Sequence, residues 1–527
     1  MGQVLRSWPK VAQGLRVLAF SGSLVSAGMA SLAEPVRVSS PDGAITLSGD
    51  VLGFDGVLLR LSTEYGPISV DITEVVCEGP ACPSVEDHIP GVRLSGAPAV
   101  GRILLPALID AYASRNELTT TRVDIAPDRF RIELAQDPTG AAAGRFDIHL
   151  TSTEEGFADL VAEEADLVMA VREPRAEEAA RAFMAGAGDL TGPGRAHVLA
   201  LDAVVPVVSP ANPQRGASLR GLSDLWSSPE PSWTDIGGDP GQAALHAPPA
   251  LDGFSQLFTD RVLTPFGAVR SGLETLHAER AVVPTVVARD IGAIGLVRFT
   301  DLGNAQPIEL VGACGRRMSV TVESLKAEDY PLTAPLMLYV PARRQPAFLH
   351  AFFDWLDSPA AELVVRRVGL IDQVPMEIPI ARQGERLANA IVAVGEEVPV
   401  SALQRAVRQL DGARRLTTTF RFRGGSARLD PLSEDNLDRL ARDLDAGLYA
   451  KREVILAGFS DGVGPVSANR EISLARANAV RDALAEAVAD PDTLDLVALG
   501  FGEVLPLACD DTDWGRQANR RVEVWVR

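Results

Sequence analysis

Asp461, Asn469 and Arg476 stand at spacings that can hold a charged ligand. Asp461 lies in a Gly-rich turn, Gly458-Phe-Ser-Asp-Gly-Val-Gly464, that follows the apolar strand Val454 to Ala457. Asn469 and Arg476 are seven residues apart on the helix predicted to follow, so they share a face. A carboxylate at a strand end and a guanidinium on the adjoining helix can grip an ammonium and a carboxylate together, which is the chemistry of zwitterion recognition. The same spacing also fits a salt bridge that staples strand to helix. A second polar run, Trp514-Gly-Arg-Gln-Ala-Asn-Arg-Arg-Val-Glu-Val524, lies near the C-terminus.

These residues resemble the OmpA-like peptidoglycan-binding domain. That family places an Asp after a strand, then Asn-x-x-Leu-Ser-x-x-Arg-Ala, then Gly-Arg-x-x-Asn-Arg-Arg-Val-Glu. This chain has Asp461, Asn469, Ser473, Arg476 and Ala477, then Gly515, Arg516, Asn519, Arg520, Arg521, Val522 and Glu523. Two positions depart: Phe459-Ser460 stands where His-Thr is common, and Ile472 where Leu is common. Neither removes a charge. The resemblance implies that Asp461 and Arg476, with Asn469 and Arg521, bind the diaminopimelate of a peptidoglycan stem peptide.

Those motifs occupy one end of a long chain. At 527 residues, three or four domains are expected, each large enough for its own core. A formal net charge of −20 argues against nucleic acid or an anionic membrane as partner. At the N-terminus Arg6, Lys10 and Arg16 precede a short apolar run, Val17 to Ala30, and Ser31-Leu-Ala33 follows. That pattern predicts a signal peptide over 1–33 and an exported protein, in the periplasm with peptidoglycan or the outer membrane. No Cys follows the run and no later stretch reads as transmembrane. Cys77 and Cys82 enclose a Gly-Pro turn, a setting for a local disulfide, with a metal pair as the alternative. Cys314 and Cys509 can pair across domains, pair between chains or stay free.

Residues 34–88 read as a small β module of alternating strands separated by Asp-Gly and Gly-Pro turns. From 89 to 375, strands alternate with helices, as in an α/β sheet domain. Leu105, Leu108, Ile109 and Tyr112 form a helix stripe, and the run from Val198 to Ser209 is long enough to pass between two lobes. Residues 376–412 predict two connector helices, and 413–527 an α+β sandwich whose first helix starts near Ser433.

The 89–375 segment resembles the periplasmic phosphate-binding proteins, a two-lobed type 2 solute-binding fold. Arg93-Leu-Ser-Gly96, Ala165-Asp-Leu-Val-Met-Ala-Val-Arg-Glu-Pro174 and His197 to Val208 carry the likeness, with Asp290-Ile-Gly-Ala-Ile-Gly-Leu-Val297 in support. The resemblance implies an anion cleft built from Ser95, Gly96, Ser152, Thr153, Arg172, Asp252 and Ser255. The loops depart from the family: Ala97-Pro-Ala99 replaces two hydroxyls and an amide donor, Val171 stands where Ser is common, and Gly253-Phe254 replaces Ser-Gly. Each absent charge-assisted hydrogen bond forfeits about 1.5–3 kcal/mol.

The six His residues are scattered, so no metal site is expected. No nucleophile elbow and no phosphate-cradling Gly-x-x-x-x-Gly-Lys is present, so neither an enzyme nor a cofactor is expected. The sequence therefore supports a wall-anchored envelope protein whose binding-protein module captures phosphate or another small anion, with an ABC transporter as a partner. The alternative is a wall-anchored structural or signalling protein whose module has lost anion binding and docks a partner.

Overall fold

The structure, a computed structural model, describes residues 35–84, 88–249, 252–395, 398–423 and 428–527. The expected signal segment lies outside the described residues, as do Gly424 and Gly425, where the sequence predicts a turn. The chain divides into two compact units between His88 and Ile89.

The first unit is a five-stranded antiparallel sheet. Its core is small, with Val36, Val38, Leu59, Leu61 and Ile72 on the buried face. Cys77 and Cys82 are joined by a disulfide, which excludes the metal-pair alternative. A core this size benefits from such a staple.

The second unit contains a large mixed sheet and a smaller five-stranded one. The large sheet bends through two lobes. In the first lobe Gly91–Gly96 is parallel to both Leu167–Ala170 and Ala142–Leu150. The hairpin Leu118–Ala126 and Arg129–Gln136 extends its edge. In the second lobe Ala293–Arg298 is parallel to Ala244–Ala247. One strand, Ala196–Val208, belongs to both: it pairs Thr333–Tyr339 in the first lobe and Ala293–Arg298 in the second. Val198, Leu199, Ala200 and Leu201 are all buried, so both faces of this strand are covered, and its composition is apolar apart from His197 and Asp202. The helix predicted by the Leu105 stripe runs Leu105–Arg115 and buries Leu105, Leu108, Ile109 and Tyr112. This is the two-lobed periplasmic binding protein architecture.

The C-terminal sheet has the order Glu377–Pro379, Arg414–Arg421, Arg521–Val526, Glu453–Gly458, Asp495–Gly500. Helices Pro431–Asp445 and Val466–Ala487 cover one face through Leu440, Leu444, Ala477, Val480 and Leu484. The connector helices Gly384–Val392 and Val400–Gln409 cover the other, where Ala390, Leu403 and Ala406 meet Ile455, Phe459 and Trp525. The connector also supplies the edge strand Glu377–Pro379.

Ser433 does not start its helix. Asp430 caps it, accepting from the Ser433 N–H at 2.8 Å, while Ser433 Oγ accepts from the Arg421 N–H at 2.7 Å. Pro431 at the first helical position supports this earlier start, because it has no N–H to satisfy.

The C-terminal sandwich is locked to the binding-protein-like lobes within the same compact unit. Cys314 and Cys509 form a disulfide across the junction, which resolves the three alternatives in favour of pairing within the chain. Arg415 forks onto Asp329, Arg421 meets Glu328 at 2.9 Å, and Arg442 meets Asp357 at 3.1 Å.

Candidate functional site: a buried guanidinium beside Asp461

Strand Glu453–Gly458 delivers the Asp461 turn, and helix Val466–Ala487 returns over it. The two approach closely because Gly458 has no side chain: a Cβ there would run into the Ser473 carbonyl oxygen. Ser473 is fully buried, and its Oγ accepts from the Gly502 N–H at 2.9 Å, tying the helix to the next strand's end.

Asp461 Oδ2 accepts a hydrogen bond from Arg520 at 2.7 Å, and both side chains are mostly buried. Arg476 is different. Its Nη1 is buried and has no hydrogen-bond partner. Its guanidinium carbon lies 5.8 Å from the centre of the Phe422 ring. Burial pulls the Arg476 pKa down, as does the Arg520 charge, while Asp461 opposes them. Arg476 is half-buried, and a buried guanidinium donor left unused is costly unless an acceptor completes it.

Asn469 shares the helix face but does not point at a free ligand position. It is buried, and its amide donates to Glu503 at 2.6 Å. Arg521 is the clearest correction. It is fully buried, donates to Glu523 at 2.7 Å and to the Leu505 carbonyl at 2.8 Å, and lies 4.2 Å over Phe459. No ligand reaches it there. Arg520, not Arg521, stands beside Asp461.

The turn is held from a second side. Asp510 accepts from the Gly462 N–H at 2.8 Å and from the Asn519 amide at 2.9 Å. Asn519 in turn accepts from Leu507 and Ala508 N–H groups. These bonds place Arg520, the residue after Asn519, against Asp461. The polar pattern carries this signal, because Asn519 sits in the quoted motif.

The seven residues expected to cradle an anion are engaged within the protein. Ser95 donates to Asp159 at 2.5 Å. Ser152 caps the helix Thr153–Val161, accepting from Glu155 N–H at 3.1 Å, and Thr153 Oγ1 accepts from Val171 N–H at 3.3 Å. Gly96 is required by close packing, since a Cβ would run into the Met169 carbonyl. Arg172 is buried and forks onto Glu178 at 2.7 and 2.9 Å. Asp252 caps the short helix Gly253–Phe258, and the buried Ser255 faces the Pro248 carbonyl at 3.4 Å. The lobes already touch: a Cβ on Gly253 would strike Val171 and approach Thr153 Oγ1 at 3.4 Å. Beside Arg172 a cavity of about 210 Å3 is walled by Glu173, Asp260, Glu328 and Asp430 against three arginines. Four carboxyl groups share this lining with the three arginines, so it is not the all-donor lining that the expected anion cleft calls for.

Comparison with known proteins agrees with the C-terminal geometry. The OmpA family matches residues 421–520. The chain is 34% identical over 112 residues to the putative lipoprotein YfiB of Escherichia coli, covering 68% of that protein and 21% of this chain. The chain belongs to the OmpA family. It is also 33% identical over 129 residues to the peptidoglycan-binding protein ArfA of Mycobacterium tuberculosis, covering 36% of that protein and 24% of this chain. Against the first curated relatives the match spans only 23% to 36% of their length. Among solved structures, an ABC-type phosphate transport receptor from Vibrio cholerae aligns at 16% identity and a TM-score of 0.41, over 53% of this chain and 99% of that one. No helix among the described residues is long and apolar enough to cross a membrane. No group of three or more His, Cys, Asp or Glu among the described residues is placed to hold a metal ion.

Proposed function

We propose that this is a periplasmic cell-envelope protein held to peptidoglycan by its OmpA-like domain, with a binding-protein-like domain that serves as a closed scaffold for docking rather than as an anion carrier. The observation that carries the first part is the buried Arg476 Nη1 without a partner beside Asp461. A diaminopimelate carboxylate completes Arg476, and the ammonium of the same centre takes Asp461 from Arg520. Arg520 then turns to the carboxylate, so no charge is stranded. The peptidoglycan-binding relative supports this reading. Binding, without a chemical step, is the activity proposed.

Asp461→Ala and Arg476→Ala should each weaken co-sedimentation with purified peptidoglycan at least about tenfold, since each removes a charge-assisted contact. Cooperative unfolding should survive in both. Full retention in both variants places the grip elsewhere.

The second part rests on the consumed hydroxyls and the Arg172–Glu178 pair. Calorimetry of the full chain with millimolar phosphate should give no saturable heat and no thermal shift. A saturable response would restore anion capture, and with it a transporter as partner.

A further inference from the structure

A second cavity, of about 230 Å3, lies where the binding-protein-like lobes, the connector and the C-terminal sandwich meet. Its deep wall is formed by Asp329, Arg386 and Arg415, and its mouth by Arg317, Ser319 and Arg382 together with Glu323 and Glu385. At the mouth Arg382 pairs with Glu323 and Arg317 with Glu309, whereas the deep wall is not balanced in this way. Met318, Ile378 and Leu507 supply apolar surface between them.

The charges behind the deep wall do not balance. Arg386, Arg415 and Arg521 surround Glu523 and Asp329: Arg386 and Arg521 both bond Glu523, and Arg415 bonds Asp329 with Glu523 at 3.4 Å. Three guanidinium groups therefore face two carboxylates. Arg421, 4.0 Å from Asp329 and 2.9 Å from Glu328, does not reduce this positive excess. Arg415, Arg521 and Glu523 are almost wholly buried. Burial raises the Glu523 carboxyl, but the three arginines outweigh it and hold the group strongly ionised. Burial and the neighbouring Arg415 pull Arg386 down.

Arg386 also has donors to spare. Its bonds go to Gln383 and Glu523, whereas a guanidinium carries five N–H groups, and its Nε lacks a partner. An excess positive charge held away from water is unfavourable until an anion neutralises it. The space exceeds what one inorganic ion needs, at about 30 Å3 per water in the liquid. Its apolar wall suits a carbon skeleton.

We propose that this junction cavity is a binding site for a small organic carboxylate, whose carboxylate meets Arg386 and Arg415 and whose remainder lies toward Arg317 and Arg382. The ligand would touch all three parts of the unit, and so would report on or reinforce their locked arrangement. The site is separate from the Asp461–Arg476 grip.

The test uses the full chain with succinate and citrate at pH 7, in calorimetry and thermal unfolding, against sodium chloride at matched ionic strength. A saturable heat and a saturable rise in melting temperature beyond the chloride control are expected. Arg386→Gln should weaken the response at least about tenfold. If that variant does not fold, the double variant Arg317→Gln/Arg382→Gln decides, because both side chains are more than half exposed and should weaken binding severalfold without harming the core. Arg476→Ala should leave the response intact. No response beyond chloride, an unchanged response in the junction variants, or its loss in Arg476→Ala would overturn the proposal.

Discussion

Arg520 and Arg521 are neighbours in sequence with opposite surroundings. Arg520 reaches Asp461 at the edge of the turn, with 21% of its side chain exposed. Arg521 is sealed between Phe459 and Glu523. Burial pulls the Arg521 pKa down to about 10, so it remains charged at neutral pH and needs Glu523. Removing one member of a buried pair leaves the other uncompensated, at a cost of about 3–5 kcal/mol. Arg521→Leu should therefore lower stability by about that amount in urea unfolding. Arg520→Gln should cost less than this, because its guanidinium is not sealed in as that of Arg521 is, yet alter peptidoglycan co-sedimentation. Equal stability losses in the two variants would contradict this division. The sequence motif lists both arginines and cannot separate them. Which one stands beside Asp461 depends on how the chain enters its last strand, opposite Arg421.

At the scale of elements, the close approach at Gly458 sets how near the helix carrying Arg476 comes to the Asp461 turn. Helix and strand are drawn together because a backbone carbonyl, Ser473, sits where a side chain would go. Gly458→Ala should force the helix outward, cost about 1–3 kcal/mol in thermal unfolding and weaken wall binding by displacing Arg476 from Asp461. A variant with unchanged stability and binding would show that the contact relaxes freely. Periodicity made most of these elements legible: the largely apolar run in Ala196–Val208 and the stripe of Leu105–Arg115 can be read from the order of residues alone. Three features were not. The edge strand Glu377–Pro379 offers one buried apolar residue, Ile378, and exists only because a distant strand accepts it. The Asp430 cap was hidden by Ser433, whose hydroxyl serves a different strand. The anion loops carried family-like hydroxyls whose partners, Asp159 and the Val171 N–H, are set by tertiary contacts that no local pattern records.

The whole molecule depends on the junction between the OmpA-like and binding-protein-like domains, where carboxyls are concentrated. Glu328 is pushed up to about 7 by burial, against the pull of Arg421 and with Asp430 and Glu173 adding to the rise. Glu434, on the helix that Asp430 caps, is pushed up to about 7 chiefly by burial as well. A carboxyl whose folded pKa exceeds its unfolded value binds a proton more readily in the folded protein. Its stabilising contribution is full below the unfolded value, near 4.5, and is lost as pH rises through about 7. Asp329 and Glu523, held ionised by their arginines, do not titrate in this window, because their folded values are lowered. The junction should therefore be more stable at pH 5 than at pH 8. Melting temperature measured across that interval should fall with rising pH, and Glu328→Gln should reduce the slope, because glutamine keeps the neutral form at every pH. Glu434→Gln should reduce it further, and the double variant should approach a flat profile if these two groups dominate. A slope unchanged in both single variants would show that the junction is not where the protons are bound. The same experiment bears on the locked scaffold: if the junction tightens on protonation, hydrogen exchange should slow together in Arg414–Arg421 and Thr333–Tyr339, which lie on its two sides. Slowing confined to one of them would mean that the two domains respond separately.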